Sequence, residues 1–202
     1  RPFFGDGACD DGGFLGNGNA LLVDLAHGSD ALACGRDRAD DWICHQESTR
    51  QAFRLRAETG VMKLAGWGRY PARDCVVTKP RTAEDVAAAL AKGPAVARGN
   101  GRAYGDSALN EENTISTRHL NRMIQFDETS GVLEAEAGVQ LGDVIDAYLP
   151  RGWFPSVTPG TKFVTLGGMA AADVHGKHHH VDGGFGNFVD WIDVMGPDGI
   201  VV

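Results

Sequence analysis

The chain has 202 residues, enough for one domain with its own core and a small addition. Apolar residues make up 43% and charged residues 23%, which is ordinary for a globular protein. The formal net charge of −8 argues against a nucleic-acid partner, and no apolar run reaches the ~18 residues that a transmembrane segment requires.

The first part of the chain is rich in glycine and weak in hydrophobic periodicity. We interpret residues 1–60 as an N-terminal extension, with a flexible segment favoured over a folded accessory element. Cys34, Cys44 and His45 fit no standard zinc spacing, so no metal site is assigned to them. Four scattered cysteines without a C-x-x-C pair are typical of free thiols in a reducing compartment, which predicts a cytoplasmic location.

Regular elements become clear from residue 75 onward. An apolar run at 75–79 predicts a strand, and 83–91 predicts a helix that ends near Gly93. Thr82 and Asp85 stand at the spacing of a capping box at the start of this helix. A second strand at 95–98 completes a β-α-β unit.

The middle of the chain predicts a hairpin followed by a helix. Its arms are 123–127 and 132–137, joined by a turn that contains Gly131. In the second arm apolar residues alternate with Glu134 and Glu136, so both glutamates are expected on the solvent face. Apolar residues at helical spacing predict a helix over 140–148.

The last part of the chain predicts a helix over 165–174 with glycines near its start. A strand over 188–195, a turn at 197–199 and a second arm at 200–202 predict a final hairpin. Because the chain stops inside that second arm, we expect it to be a truncated fragment.

The loop after the strand at 95–98 holds the most informative pattern. Gly99, Gly101 and Gly105 allow positive φ and close backbone approach, so several N–H groups can converge on one anion. Arg98 directly precedes Gly99 and Arg102 directly follows Gly101, and both favour a phosphate or diphosphate over a neutral group. The loop therefore predicts a phosphate-binding turn, with a plain surface turn as the alternative.

A nicotinamide-binding Rossmann fold is the first rival interpretation. The glycine spacing is a variant of the Rossmann fingerprint, which requires a helix directly after the loop. Residues 106–113 are polar and without helical periodicity, and 114–117 reads as a strand. The pattern thus favours a strand-loop-strand arrangement over a dinucleotide-binding dehydrogenase.

Two later motifs carry a family resemblance. The segment 159–180 reads PGTKFVTLGGMAAADVHGKHHH, and 183–187 reads GGFGN. In this order and spacing after the loop, they resemble the FAD-binding domain of the vanillyl-alcohol oxidase/p-cresol methylhydroxylase flavoproteins, in particular its decaprenylphosphoryl-ribose oxidase branch. The resemblance covers 66–202. It implies an α+β fold, namely a PCMH-type FAD-binding domain built from two α/β subdomains. The resemblance also implies that this domain is incomplete at its C-terminal end and that a substrate domain is absent from the chain.

The resemblance also implies a set of cofactor-binding residues, in which two glycine-lined loops grip the diphosphate of FAD. Tyr104 stands where many family members carry a histidine that tethers the flavin, which implies non-covalent FAD. The positions that match the family's flavin contacts are Ala97, Arg98, Gly99, Asn100, Gly101, Arg102, Ala103, Tyr104, Gly105, Asp106, Ser107, Gly160, Thr165, Leu166, Gly167, Gly168, Ala172, Asp173, Val174 and His175.

Catalytic residues are implied at the histidine-rich turn. His175 and Lys177 match positions beside flavin and substrate in the family, and His175 is a candidate general base. The three histidines at 178–180 could instead chelate a transition metal, an interpretation we disfavour.

The function implied is oxidation of a CH–OH group of a sugar or related alcohol, with hydride passing to the flavin. A small-molecule substrate follows from this reaction, and a partner subunit for epimerisation stays open. We expect the fragment alone to be inactive. The rivals are a nicotinamide-dependent dehydrogenase domain and a non-catalytic truncated fragment that binds flavin or metal.

Overall fold

The computed structural model describes residues 57–202 together with a two-residue strand, β1 (Ala20–Leu21). Nearly all of the predicted extension over 1–60 lies outside the described residues, as do Cys34, Cys44 and His45.

A four-stranded sheet forms the first half of the described chain. Its strands are β2 (Glu58–Ala65), β3 (Ala72–Lys79), β4 (Val96–Arg98) and β5 (Thr114–Ser116), in the order β2-β3-β5-β4. β2 pairs antiparallel with β3 along its whole length, whereas β3 and β4 both run parallel to β5. β2 was not predicted, because its sequence shows no apolar alternation; in the structure six of its eight residues are exposed.

Helix α1 (Ala83–Leu90) connects β3 to β4 and is capped as its sequence predicts. Thr82 Oγ1 accepts a hydrogen bond from Asp85 N at 3.3 Å, and the Asp85 carboxylate accepts one from Arg81 N at 3.0 Å. The buried face of α1 packs into the first hydrophobic core, which consists of Val86, Ala89, Leu90, Ala95, Ile115, Leu120 and Met195.

The second half begins with the predicted hairpin, β6 (Met123–Phe126) and β7 (Leu133–Ala135), and continues into α2 (Leu141–Tyr148). The turn closes through Gly131 N, which donates to Asp127 O at 2.8 Å. This half is built around the second hydrophobic core, whose buried members are Leu133, Ala135, Val139, Leu141, Val144, Tyr148, Trp153, Val157, Leu166, Met169 and Phe185.

Three short elements complete the chain: α3 (Leu166–Ala171), α4 (His179–Asp182) and β8 (Val194–Met195). Single 3₁₀ turns lie at Thr117–His119, Leu149–Arg151 and Phe185–Phe188. β8 pairs antiparallel with β1. The described residues are therefore α+β, as predicted, and none of their helices has the length and apolarity needed to cross a bilayer.

The prediction that Glu136 lies on the solvent face is wrong. Its side chain is only 2% exposed and accepts hydrogen bonds from Arg122 N at 2.7 Å, Nη2 at 2.7 Å and Nε at 3.0 Å. β7 ends at Ala135, so the alternation of the strand no longer applies at the next residue. A buried carboxylate is tolerated there because one arginine supplies three donors.

The last two predicted elements are shorter than expected. The helix predicted over 165–174 ends at Ala171, and Asp173 beyond it has a φ of 38°. Of the strand predicted over 188–195, only Val194–Met195 forms a strand. The final turn does form, since Gly196 N donates to Ile200 O at 2.8 Å and Met195 bridges to Val201.

Candidate cofactor-binding site

A cleft of about 310 Å³ lies between the loop that follows β4 and the start of α3. Its volume is at the lower end of the range for small-molecule sites. The two glycine-rich segments predicted from the sequence, the loop after β4 and the segment around the start of α3, both line this cleft. The lining residues are Ala97, Gly99, Asn100, Gly101, Arg102, Ala103, Ser107, Ala108, Val164, Thr165, Gly168, Ala171, Ala172 and Val174.

The two segments are joined by direct contacts. Asn100 Nδ2 donates to Gln140 Oε1 at 2.8 Å and to Phe163 O at 2.9 Å. Gly99 faces Thr165 so closely that a Cβ at position 99 would overlap the threonine hydroxyl. The glycine is therefore needed for close approach of the two segments, whereas the sequence pattern predicted close approach of the loop glycines to an anion.

The turn after β2 also contacts the loop after β4, and the sequence did not predict this contact. Trp67 N donates to Ala103 O at 2.8 Å. A Cβ at Gly66 would lie 2.7 Å from Ala103 O and would overlap Gly105 O. The signal that could have revealed this contact is Gly66 itself, placed directly after a stretch that forms a strand.

Arg98 supports the loop from within the protein. Its guanidinium donates to Ala65 O at 2.7 Å through Nη2 and to Ala108 O at 3.3 Å through Nη1. Burial lowers the pKa of Arg98, and the side chain is not among the lining of the cleft. Gly101, with a φ of +67°, passes directly over this guanidinium. Arg98, which the sequence pattern predicted to bind a phosphate, thus fixes the loop.

Arg102 is the cation that lines the cleft. Its guanidinium carbon lies 4.9 Å from the ring centre of Trp67 and 5.3 Å from that of Phe163. Arg102 Nε is buried and has no acceptor among the described residues. A buried cationic donor without a partner is costly, so an anion bound at this position would satisfy it.

The two segments differ in the backbone donors that they offer. The N–H groups of residues 99–103 make no hydrogen bond to any other described residue. The first three N–H groups of α3 are all used, by Val139 O at 2.8 Å, Ala137 O at 2.9 Å and Thr165 Oγ1 at 3.3 Å. The residues present therefore fit a diphosphate, with donors from the first loop and Arg102 and with close approach from the second segment.

Nine of the predicted cofactor residues lie outside the lining of the cleft, and three lining residues were not predicted. Asp173 has a bracing role, because its carboxylate accepts from Gly186 N at 2.8 Å and holds the GGFGN segment. Tyr104 is 80% exposed. Those outside the lining are Arg98, Tyr104, Gly105, Asp106, Gly160, Leu166, Gly167, Asp173 and His175. The unpredicted lining residues are Ala108, Val164 and Ala171, which no chemical signal distinguished.

The histidine-rich turn lies beside a smaller pocket of about 20 Å³, whose lining includes Lys177 and His179. His175 is exposed, and its ring centre lies 5.0 Å from that of His179. Val174, directly before it, lines the larger cleft. In the part of the chain that the structure describes, no three His, Cys, Asp or Glu residues are grouped to hold a metal ion.

The loop between β4 and β5 tests the alternative interpretation of a nicotinamide-binding Rossmann fold. No helix occurs among residues 99–113, all of which the structure describes, and the chain passes from the loop directly into β5. The helix that a Rossmann phosphate site requires after its glycines is therefore missing at this position.

Comparison with known proteins identifies the family. Residues 75–202 match the model of the FAD binding domain family. The chain belongs to this family, and its fold is that of the PCMH-type FAD-binding domains of the vanillyl-alcohol oxidase flavoproteins, as the sequence motifs predicted. FAD as the cofactor is likewise confirmed.

Two curated relatives show the range of proteins that carry this domain. The chain is 35% identical over 150 residues to the decaprenylphosphoryl-beta-D-ribose oxidase of Mycolicibacterium smegmatis, covering 71% of this chain and 33% of the relative. It is 36% identical over 84 residues to the D-2-hydroxyglutarate dehydrogenase of Escherichia coli, covering 40% and 8%. The chain thus spans about a third of the length of the first relative and less of the second.

Two solved structures share the fold. A chitooligosaccharide oxidase superposes with a TM-score of 0.56 at 22% identity, over 63% of this chain and 29% of the oxidase. A cholesterol oxidase from B. sterolicum gives a TM-score of 0.52 at 18% identity, over 59% and 25%. At these identities the likeness establishes the fold alone.

Proposed function

We propose that this chain is the cofactor-binding part of a flavin-dependent oxidoreductase that oxidises a CH–OH group of a sugar or a related alcohol. The sugar is suggested by the name of the Mycolicibacterium relative, of which the chain covers 33%. A fold shared by enzymes of several substrate classes does not select one of them. The substrate class therefore rests on sequence similarity, whereas the cofactor role rests on the cleft.

The observation that carries the cofactor role is the Nε of Arg102, which has no hydrogen-bond partner among the described residues. It lies in the wall of a cleft that both family motifs line. Arg102 and the N–H groups of 99–103, which make no hydrogen bond within the described part of the chain, would bind the diphosphate of FAD. Thr165 and Gly168 would form the opposite wall of the cleft. FAD, when bound, supplies the acceptor for hydride, and the protein residues hold it in position.

We propose that the FAD is bound without a covalent link. The loop from Ala97 to Ser107 contains no histidine, and Tyr104 occupies the position where a tethering histidine stands in other members of the family. The roles of His175 and Lys177 in catalysis are part of the same proposal. His175 directly follows Val174, which lines the cleft, and Lys177 lines the smaller pocket beside it.

Titration of the full chain with FAD tests the cofactor role. We expect saturable binding, followed by the quenching of flavin fluorescence. Arg102→Met should weaken it about 10-fold to 100-fold, since a hydrogen bond to a charged group contributes about 1.5–3 kcal/mol.

Arg151→Met is the matched control for this titration. Arg151 also stacks on two rings, those of Phe126 at 5.5 Å and Tyr148 at 5.3 Å, but it does not line the cleft. Its variant should bind FAD like the wild type. Equal losses in both variants, or no FAD binding by the wild type, would contradict the proposed site.

Because we expect the chain alone to be inactive, the substrate class is tested on the flavin-loaded protein in a form that also carries a substrate domain. It is titrated anaerobically with a polyprenylphosphoryl ribose and with D-2-hydroxyglutarate. A change in the visible flavin spectrum with the ribose compound alone is the expected result. A change with the hydroxy acid alone would assign the protein to the other class of relative.

A further inference from the structure

Arg102 lies between two aromatic rings that are both partly open to solvent. Trp67 and Phe163 are each 48% exposed, and their ring centres lie 4.9 Å and 5.3 Å from the guanidinium carbon. The three residues come from three segments: the turn after β2, the loop after β4 and the stretch before α3. Large aromatic side chains left exposed beside a cleft point to a role other than core packing.

We infer that Trp67 and Phe163 are positioning residues that hold the Arg102 guanidinium in the direction needed to bind the diphosphate of the cofactor. This inference rests on the proposed function. Among the described residues the Arg102 side chain forms no hydrogen bond or ion pair, so the two ring faces are the contacts that restrict it. A free arginine side chain samples many rotamers, and restricting them before binding lowers the entropic cost of binding.

Hydrogen bonds anchor the backbone of both aromatic residues to the loop. Trp67 N donates to Ala103 O at 2.8 Å, which holds the Trp67 backbone next to the residue that follows Arg102. Asn100 Nδ2 donates to Phe163 O at 2.9 Å, which holds the Phe163 backbone against the same loop. The aromatic clamp, defined as Trp67, Arg102 and Phe163, is therefore assembled by the contacts that join the two cofactor segments.

A second stacked arginine shows what distinguishes this clamp. Arg151 lies over Phe126 and Tyr148 at 5.5 Å and 5.3 Å, a similar pair of ring contacts. Arg151 is also paired with the carboxylate of Glu128. Arg102 has no carboxylate partner among the described residues. Its charge is thus held in place but not neutralised, which suits an anion supplied from outside the chain.

A double-mutant cycle on FAD affinity tests the inference. Trp67→Leu should weaken FAD binding about 5-fold to 20-fold, whereas Trp67→Phe, which keeps a ring face, should remain within about 2-fold of the wild type. In an Arg102→Met background, Trp67→Leu should cause little further loss. Additive losses would mean that the ring acts independently of Arg102 and would overturn the inference.

Matched controls separate the clamp from a general loss of exposed rings. Trp191 is 48% exposed and Phe154 is 46% exposed, and neither is one of the two rings that stack on Arg102. Trp191→Leu and Phe154→Leu should leave the affinity for FAD unchanged, and Phe163→Leu should reduce it as Trp67→Leu does. Losses of equal size in the controls would remove the support for the clamp.

A measurement without ligand distinguishes failure of the clamp from failure of the proposed function. The Nε–H resonance of Arg102, observed by ¹⁵N NMR of the full chain, should be shifted upfield by the ring currents and should lose that shift in Trp67→Leu. An unshifted resonance in the wild type would overturn the clamp even if FAD binds. A shifted resonance in a chain that binds no FAD would leave the clamp in place and overturn the proposed function.

Discussion

Asn100 and Phe163 are 63 positions apart in the chain, yet Asn100 Nδ2 lies 2.9 Å from the carbonyl oxygen of Phe163. The same amide donates to Gln140 Oε1 at 2.8 Å. One side chain therefore joins the loop after β4, the beginning of α2 and the segment before α3. The cleft forms only when the loop after β4 lies against the segment before α3. The contact of Asn100 therefore joins the two family motifs into one site.

Replacing Asn100 should loosen both the fold and the site. Asn100→Ala leaves two acceptors without their donor, and a lost hydrogen bond of this kind costs about 1–2 kcal/mol. We expect the free energy of unfolding to fall by that amount in urea and the affinity for FAD to fall as well. Asn121→Ala, at an exposed position before β6, is the control and should change neither. Unchanged FAD affinity in Asn100→Ala would show that the bridge does not shape the site.

Gly66 is predicted to be essential for the position of the cofactor loop. In Gly66→Ala the new methyl group would overlap Gly105 O and lie 2.7 Å from Ala103 O, so the loop must move away. We expect a clear loss of FAD affinity in a fluorescence titration. Gly68→Ala is a close control, because a Cβ at position 68 meets nothing within 4 Å. Equal affinities in the two variants would contradict the contact.

The buried carboxylate of Glu136 makes Arg122 important for stability. Arg122→Ala removes two of the three donors and leaves Glu136 buried without its cation, which we expect to cost about 2–4 kcal/mol in the free energy of unfolding. Arg73→Ala breaks an exposed pair with Glu111 and should cost less than about 1 kcal/mol. Similar losses in the two variants, measured by urea unfolding, would contradict the burial of Glu136.

The hairpin turn predicts a pH effect. The Ser130 hydroxyl, followed by Thr129 N, lowers the pKa of the Asp127 carboxyl from its ordinary value of 3.8. Its contribution to stability is thus fully present above pH 3.8 and is lost as the pH falls through the lower folded-state pKa. The stability difference between wild type and Asp127→Asn should therefore shrink below pH 3.8. A stability difference that stays constant as the pH falls below 3.8, measured by urea unfolding, would contradict this effect.

The absence of a covalent flavin link is tested by acid denaturation of the holoprotein. We expect all yellow colour in the supernatant, because the loop contains Tyr104 and no histidine. Flavin that stays with the precipitated polypeptide would contradict non-covalent binding.

The elements predicted correctly are those whose signals are local. The Thr82 cap and the buried stripe of α1 follow from residues three and four apart, and the hairpin around Gly131 follows from alternation and turn chemistry. β2 was missed because an edge strand with exposed residues carries no apolar alternation. The burial of Glu136 depends on Arg122, fourteen positions away, and no local pattern reports such a pair.

The same distinction applies to the site. The motifs predicted the two segments that line the cleft, but they did not distinguish the two arginines of the loop. Arg98 is held by Ala65 O and Ala108 O, and Arg102 by the rings of Trp67 and Phe163. Three of these four partners belong to segments or turns that only the tertiary fold brings to the loop. Spacing alone therefore could not assign one arginine to support and the other to the cleft.

Hydrogen exchange with and without FAD shows most directly whether both family segments hold one FAD together. We expect saturating FAD to slow amide exchange in 98–107 and in 164–175 at the same FAD concentration. Slower exchange in only one of these segments, or in neither while FAD is bound, would contradict it.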